Sequence, residues 1–176
     1  MTGWVALLRG INLGGRNKVP MAELRELFEE TGCGSVSTYI QSGNVLFTHP
    51  AGGRDALARR LEQAVQETFG VSSPVVLRTT AELVRIACSH PFGADTSRSH
   101  VAFLDREPAD PHALESLDVA PDRFELAGSE VYLLYPNGVH GSRLTGALLE
   151  RRLGAIATLR NWRTVTSLAE LAGSPT

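Results

Sequence analysis

The sequence predicts an α+β fold built from two similar halves, each with antiparallel strands and with helices packed on one face of the sheet. Two observations predict this class. The pattern of the first half gives the order β-α-β-β-α-β plus a trailing helix, which is the split βαβ or ferredoxin-like arrangement. The second half then repeats that order. The composition, 43% hydrophobic and 20% charged over 176 residues, is that of a folded globular protein.

The first elements of the chain are a strand, a loop, a helix and a hairpin. An apolar run from Trp4 to Leu8 predicts a buried strand. Pro20 suits the first position of a helix, and Gly32 is expected to end that helix. A β-hairpin should follow, because apolar residues alternate on both sides of a Ser-Gly-Asn turn in SVSTYIQSGNVLF.

The remaining elements of the first half have clear end signals. Apolar residues at four-residue steps predict an amphipathic helix from Arg54 to Phe69, ended by Gly70. A short strand is expected over residues 74–78. Thr79 and Glu82 then have the spacing of a capping box, which predicts another helix start.

The second half repeats these elements and indicates an internal duplication. A strand in HVAFL is expected to lead into a short helix beginning at Asp110 and Pro111, followed by a hairpin and a further helix. The final strand and helix, IATLRNWRTVTSLAEL, align with PVVLRTTAELVRIA, so that Leu159-Arg160 corresponds to Leu77-Arg78. We therefore predict two ferredoxin-like subdomains, at residues 1–90 and 98–176, with the seam near residues 90–99.

Charge and composition limit the possible functions. The net charge of −2 gives no overall attraction to nucleic acid, so such binding would require a local basic patch. No apolar run is long enough for a membrane helix, and no secretory signal is evident, so we expect a cytoplasmic protein without membrane contact. Cys33 and Cys88 are expected to be buried thiols, and scattered histidines predict no metal site. The sequence names no cofactor and does not fix the oligomeric state.

The stretch LLRGINLGGRNKVP is the most distinctive segment of the chain. It contains Lys18, the only lysine among the 17 basic residues, and two of the asparagines. Its glycines do not have the spacing of a dinucleotide-binding loop, and Val19 follows the lysine where a P-loop has Ser or Thr. Glycines, backbone N–H groups, cations and a helix start are nevertheless the components of an anion site.

We therefore expect this basic, glycine-rich loop at residues 9–18 to bind an anionic ligand, either a nucleotide-like small molecule or a nucleic-acid segment. A long architectural turn is the alternative. Arg and Lys would neutralise charge, and Asn would orient the ligand. The hairpin turn QSGN is expected to join the site if it folds toward the loop. The candidate residues are Arg9, Gly10, Asn12, Gly14, Gly15, Arg16, Asn17, Lys18, Ser42 and Asn44.

Two other function classes remain open. The chain could be an enzyme that acts on a phosphorylated or nucleotide substrate through the same loop, although no general base is evident. It could also be a protein-interaction or oligomerisation module. A serine hydrolase is disfavoured, because His140 and Ser142 do not lie in a G-x-S-x-G motif. Stacking of RNA bases on hairpin tyrosines would require those tyrosines to be exposed.

The segments ALLRGINLGGRNKVPMAELRELFEETG, TYIQSGNVLF, YPNG and TLRNWRTVTSLAEL together resemble the bacterial domain-of-unknown-function family 1697. The resemblance extends over essentially the whole chain. It implies an α+β protein with ferredoxin-like halves, in agreement with the repeat. It implies no activity and no catalytic residue, because the family is uncharacterised.

Overall fold

A computed structural model describes residues 1–50 and 52–173 of the chain. Over these residues it contains eight strands and five helices, in the order β1 (Thr2–Leu8), α1 (Met21–Glu30), β2 (Gly34–Tyr39), β3 (Asn44–His49), α2 (Arg54–Phe69), β4 (Val75–Thr79), α3 (Thr80–Ala87), β5 (Ser99–Leu104), β6 (Arg123–Ala127), β7 (Glu130–Leu134), α4 (Gly146–Leu153), β8 (Ala157–Asn161) and α5 (Trp162–Gly173).

The strands form two four-stranded antiparallel sheets. Their strand orders are β2-β3-β1-β4 and β6-β7-β5-β8, which become identical when β5 to β8 are matched to β1 to β4. The predicted α+β class with antiparallel sheets is confirmed, and the arrangement is consistent with duplicated split βαβ units.

The register of the two sheets also supports the duplication. Val5 of β1 lies opposite Arg78 of β4, and Val101 of β5 lies opposite Arg160 of β8. Both arginines are buried, and each guanidinium donates to the carbonyl of the leucine that precedes it. Burial lowers the pKa of Arg160 to about 10. The two Leu-Arg pairs therefore occupy equivalent places, as their sequence alignment predicts.

The chain divides into two compact units. The first comprises Met1–Val84 with the described residues from Leu168 on, and the second comprises Arg85–Ser167. Helices α3 and α5 therefore each contribute residues to both units. The subdomain bounds predicted from sequence, 1–90 and 98–176, stay a prediction, and residues 174–176 lie outside the described part.

The core of the first unit forms between its sheet and the helices α1 and α2. The apolar faces of both helices are buried against alternate residues of β1 and β3, because both helices carry apolar residues at helical spacing. The predicted bounds of α2 are confirmed, and Gly70 ends it with a left-handed φ of 66°. The central members of this core are Ala6, Leu8, Leu24, Phe28, Phe47, Leu61 and Val65.

The second unit differs from the prediction in one element. No helix begins at Asp110 and Pro111; residues 111–116 form turns instead. The backbone hydrogen bonds of this segment join residues three apart and therefore form successive turns, whereas an α-helix joins residues four apart. The donors are the N–H groups of Ala113, Glu115 and Leu117. Leu114 and Val119 from this connection still pack into the second core, together with α4.

The two cysteines lie in different surroundings. Cys33 is buried, as predicted, and burial raises the pKa of its thiol. The prediction for Cys88 is wrong: it is exposed, because it follows the last residue of α3, whose buried side is formed by Leu83 and Ile86. None of the described helices has the length and apolar character needed to cross a membrane.

The predicted capping box at the start of α3 is confirmed. The backbone N–H of Glu82 donates to Thr79 Oγ1 (3.2 Å), and the backbone N–H of Thr79 donates to Glu82 Oε2 (2.7 Å). Arg54 at the start of α2 donates to both carboxylate oxygens of Glu82, each at 2.7 Å. One carboxylate therefore joins the beginnings of two helices.

Replacing Glu82 by Ala is expected to lower the free energy of unfolding by about 1 kcal/mol, because the carboxylate's bonds to the Thr79 N–H and to Arg54 are lost while the Thr79 cap is kept. Burial alone would raise the pKa of Glu82, but the hydrogen bonds from Arg54 and Thr79 lower it below 4.5. The carboxylate therefore stabilises the fold above pH 4.5, and this contribution is lost as pH falls through the lowered pKa. Urea denaturation at pH 7 and at acidic pH measures the free energy of unfolding of the unchanged protein, of this variant and of the exposed control Glu26→Ala. If Glu82→Ala lowers that free energy equally at both pH values, the pH dependence assigned to Glu82 is wrong.

His100 of β5 should titrate below the ordinary histidine pKa of 6.5, because burial lowers its pKa and a backbone hydrogen bond at Arg98 opposes the shift only in part. Its ring packs edge-on against Tyr135, with centroids 5.2 Å apart. The neutral ring therefore favours the folded state above pH 6.5, and this stabilisation is lost as pH falls through the lowered pKa. NMR titration of the imidazole measures the midpoint directly. A midpoint at or above 6.5 would show that the ring is solvated.

Candidate functional site

The basic loop connects β1 to α1 and is held at both ends by buried aliphatic residues. Ile11 and Val19 are 2% and 1% exposed. Between them, residues 13–18 are all exposed. The loop is therefore fixed at its base and projects its central residues into solvent.

The centre of the loop is a miniature β-hairpin. Leu13 and Arg16 form an isolated antiparallel bridge, and the N–H of Arg16 donates to the carbonyl of Leu13 at 2.9 Å. Gly14 and Gly15 between them have φ values of 54° and 79°. A two-residue turn with positive φ at both positions matches the right-handed twist of a hairpin, and glycine adopts it at little cost. The glycines are therefore required by the turn itself.

The side chain of Asn12 closes the hairpin and joins it to the rest of the unit. Its Oδ1 accepts from the N–H of Val19 (2.8 Å), while its Nδ2 donates to the carbonyls of Val19 (2.9 Å) and Gln41 (2.9 Å). The backbone N–H of Asn12 donates to the carbonyl of Asn17 at 3.0 Å. Gln41 lies in the turn between β2 and β3, so Asn12 connects the loop to that turn.

Asn17 has a similar internal role. Its Nδ2 donates to the carbonyl of Gly10 at 2.8 Å, across the base of the hairpin. Asn12 and Asn17 both have positive φ, 54° and 50°. Asparagine tolerates this conformation better than other non-glycine residues. Both asparagines therefore shape the loop, and contact with a ligand through their amides stays a prediction.

The QSGN turn packs directly against the loop at Gly43. A Cβ at this position would lie 2.8 Å from Ile11 Cδ1 and 2.9 Å from Leu8 Cβ, and the φ of Gly43 is 78°. Its carbonyl accepts from the N–H of Leu8 at 2.8 Å. Only glycine fits both the conformation and the space, so this residue allows the close approach of turn and loop.

Asn44 and Ser42 complete the turn. Asn44 is fully buried, and its Nδ2 donates to Tyr39 O and to Ser42 Oγ, each at 2.9 Å. The structure thus places the turn beside the loop, as the sequence-based site requires. Within it, Asn44 supports the backbone, and Ser42 is partly exposed.

Three cations lie on or beside the hairpin. Arg16 and Lys18 are exposed, and among the described residues neither side chain has a hydrogen-bond or ion-pair partner. Arg9 is also exposed, and its backbone is bonded to the two residues before β4: its N–H donates to Pro74 O (2.9 Å), and its carbonyl accepts from Ser73 Oγ (2.8 Å). Helix α1 begins just after the loop, and Glu23 in its first turn is the nearest carboxylate along the chain. The tip of the loop is therefore positively charged.

Two exposed aliphatic residues accompany these cations, and the sequence analysis missed both. Leu13 is 62% exposed at the hairpin tip, and Ile40, which directly precedes the QSGN turn, is 50% exposed. Ile40 also has a φ of 50°, which is unusual for a β-branched residue. An apolar residue between Asn and Gly, as at Leu13, is the sequence signal that could have identified the first of them.

Several other candidate groups prove to be structural. Tyr132 and Tyr135 are buried, so they offer no surface on which RNA bases could stack. Asn161 caps α5 by accepting from the N–H of Thr164 at 2.8 Å. Ser142 donates to the carboxylate of Asp122 rather than to a histidine, which leaves no basis for a serine-hydrolase pair.

The chemistry available at the loop is that of binding. Residues 9–18 contain no carboxylate, imidazole or thiol, so the loop itself has no proton-transfer group near neutral pH. Over residues 1–50 and 52–173, no group of three His, Cys, Asp or Glu side chains is arranged to hold a metal ion. The loop instead presents fixed cations, open glycine backbone and one aliphatic side chain.

Comparisons with known proteins agree with this picture of the fold. No curated protein matches the sequence. A conserved bacterial protein from Streptococcus pneumoniae has a similar structure, with a TM-score of 0.76 and 23% sequence identity, over 97% of this chain and 98% of that one. That likeness concerns the fold alone. The family model for a protein of unknown function, DUF1697, matches residues 1–132, which include the loop and the QSGN turn. The chain therefore belongs to the domain-of-unknown-function family 1697.

Proposed function

We propose that the hairpin loop of residues 9–18 binds an anionic ligand. The observation that supports this most directly is the exposure of Arg16 and Lys18 on a fixed hairpin, with no partner for either side chain among the described residues. A cation held in place by its backbone loses less entropy on binding than one on a flexible loop. The two cations would therefore recognise the anionic ligand, and the asparagines would maintain the conformation of the loop.

The glycines would supply a second element of recognition. A Cβ at Gly10, Gly14 or Gly15 would meet no atom within 4 Å, so these positions are open. A ligand oxygen can approach glycine backbone N–H groups more closely than those of other residues. The positive end of α1, which starts at Met21, would add to the attraction.

The form of the loop favours an extended anion over an enclosed one. Six consecutive residues, 13–18, are exposed, so the tip does not form the walls of a nucleotide pocket. Leu13 lies directly opposite Arg16 in the bridge, and opposed residues of an antiparallel pair have their side chains on the same face. A single-stranded nucleic acid would offer phosphates to the cation and apolar base faces to the leucine. We therefore place nucleic acid ahead of a nucleotide-like small molecule.

A protein-interaction surface is the second candidate, because Leu13 and Ile40 are both exposed and the Asn12–Gln41 hydrogen bond joins the residues beside them. Two aliphatic side chains next to cations suit a partner with an acidic and apolar surface. An enzyme acting on a phosphorylated or nucleotide substrate ranks below both, since the loop provides no general acid or base.

Replacing Arg16 and Lys18 together by Ala is expected to abolish or greatly weaken binding of a fluorescent single-stranded oligonucleotide, while the Tm changes by only a few degrees. Both side chains are exposed, and neither has a hydrogen-bond or ion-pair partner within the described part of the chain. If the two cations contact phosphates, the slope of log K against log salt should become shallower by about 1.4. Fluorescence anisotropy at several salt concentrations measures both quantities, with ATP as a parallel ligand.

The matched control is Arg59→Ala with Arg60→Ala, which removes the same charge from exposed positions on α2. It should bind as the unchanged protein does. Retained affinity in the loop variant, or an equal loss in the control, would contradict a site at the loop. Loss of folding in the loop variant would show that the cations are structural. Binding of ATP without binding of the oligonucleotide would favour the small-molecule form of the proposal.

A further inference from the structure

The second unit contains a small cavity that is partly open to solvent. It has a volume of about 130 Å³ and lies between residues 119–122, which precede β6, and residues 137–143 of the connection from β7 to α4. One ordered water needs roughly 10–15 Å³ of such space, so the cavity admits a group of several heavy atoms. Its residues belong to the second unit, and the loop of residues 9–18 belongs to the first.

Hydrogen bonds fix both walls of this cavity. Ser142 Oγ donates to Asp122 Oδ2 at 2.5 Å and accepts from the N–H of Leu144 at 2.9 Å, so it joins one wall to the other. The N–H of Asp122 donates to the carbonyl of Val119 at 3.0 Å. The fully buried Tyr135 donates from its hydroxyl to the carbonyl of Leu144 at 2.8 Å. The cavity is therefore formed before any ligand arrives.

Three polar residues with donor groups belong to the lining of the cavity. They are Arg143, His140 and Asn137, which are all exposed, and none of the three side chains has a hydrogen-bond or ion-pair partner among the described residues. Their backbone conformation depends on two glycines with left-handed φ, Gly138 at 85° and Gly141 at 81°. The connection thus presents a guanidinium, an imidazole and an amide to one small space.

Two further charged residues, Arg98 and Asp122, lie at or beside the cavity. The guanidinium Nη1 of Arg98 lies 3.1 Å from the place that a Cβ on Gly138 would occupy, so a second arginine borders the wall. Asp122 is the one carboxylate that lines the cavity, and one of its oxygens is already engaged by Ser142. The lining itself therefore carries one guanidinium and one carboxylate, and Arg98 beside it adds a second guanidinium.

We propose that this cavity binds a small oxyanion, a phosphate or carboxylate group carried by a compact hydroxylated molecule. Arg143 matches such a group because its planar fork donates two parallel hydrogen bonds to one anion. His140 and Asn137 add donors for the remaining oxygens. The second oxygen of Asp122 accepts from a hydroxyl of the ligand, which distinguishes a hydroxylated compound from a bare anion.

The test is an NMR titration of the full chain with inorganic phosphate, acetate, glycerol 3-phosphate and glycerol, with sodium chloride at matched ionic strength. The backbone amides of Gly138, Gly141 and Ser142 should shift and saturate with at least one oxyanion. Glycerol 3-phosphate should bind more tightly than phosphate if Asp122 receives the hydroxyl. Arg143→Gln should weaken this binding by about tenfold or more, the effect of losing one hydrogen bond to a charged group.

Arg151→Gln, which removes an exposed charge from α4, is the matched control and should leave the titration unchanged. Arg16→Ala with Lys18→Ala should also leave it unchanged, so that failure of the loop proposal and failure of this one are separable. His140→Gln, expected to weaken binding several-fold, serves as a second variant if Arg143→Gln disturbs the spectrum elsewhere. Amides that respond to chloride as they do to the oxyanions, or equal binding by the Arg143 and Arg151 variants, would overturn the proposal.

Discussion

The position of the basic loop depends on one side chain, the carboxamide of Asn12. It accepts from one backbone N–H and donates to two carbonyls, and its partners lie on the far strand of the hairpin and on the QSGN turn. A carboxamide has two N–H donors and a carbonyl acceptor in one planar group, whereas a hydroxyl has a single donor. Gly43 makes this arrangement possible, because a Cβ there would separate turn and loop. Without Asn12, Val19 N–H and two carbonyls would need new partners.

This constraint gives the loop its chemical character. Asn12, Asn17 and the two turn glycines satisfy the internal needs of the hairpin, so the exposed cations are not required for its shape. Two exposed cations that have no structural role are the simplest form of an anion-binding surface. The second unit also has exposed basic side chains on a connection with a fixed backbone, the one after β7. There, glycines with left-handed φ and a Ser–Asp hydrogen bond position the backbone of Arg143 and His140.

Local signals made much of the fold predictable from sequence. The bounds of α2 follow from apolar spacing and the glycine at its end, and the Thr79–Glu82 capping box depends on residues three apart. The helix expected at Asp110 was wrong, because the backbone there forms turns with hydrogen bonds between residues three apart, and the sequence pattern does not distinguish these turns from a helix start. The connections after β1 and β5 also differ, because β1 leads into α1 whereas β5 leads to β6.

The candidate site was only partly predictable, because its geometry comes from contacts distant in sequence. The segment and its neighbouring turn were predictable from their glycines, asparagines and cations. Which of its residues shape the loop and which stay exposed was not predictable, because Asn12 and Gln41 are 29 positions apart and come into contact only in the folded chain. Exposure of Leu13 likewise depends on the hairpin conformation, which two positive-φ glycines allow but do not impose.

The most direct test of this account is hydrogen exchange at the amide of Val19 in an Asn12→Gly variant. Glycine keeps the positive φ of position 12 without strain and removes only the carboxamide. The account predicts that the Val19 amide loses its protection, that neighbouring loop amides exchange faster, and that the free energy of unfolding falls by about 2 kcal/mol. Unchanged protection at Val19 with unchanged stability would contradict it, and would show that the loop is held by its turn and its buried aliphatic residues alone.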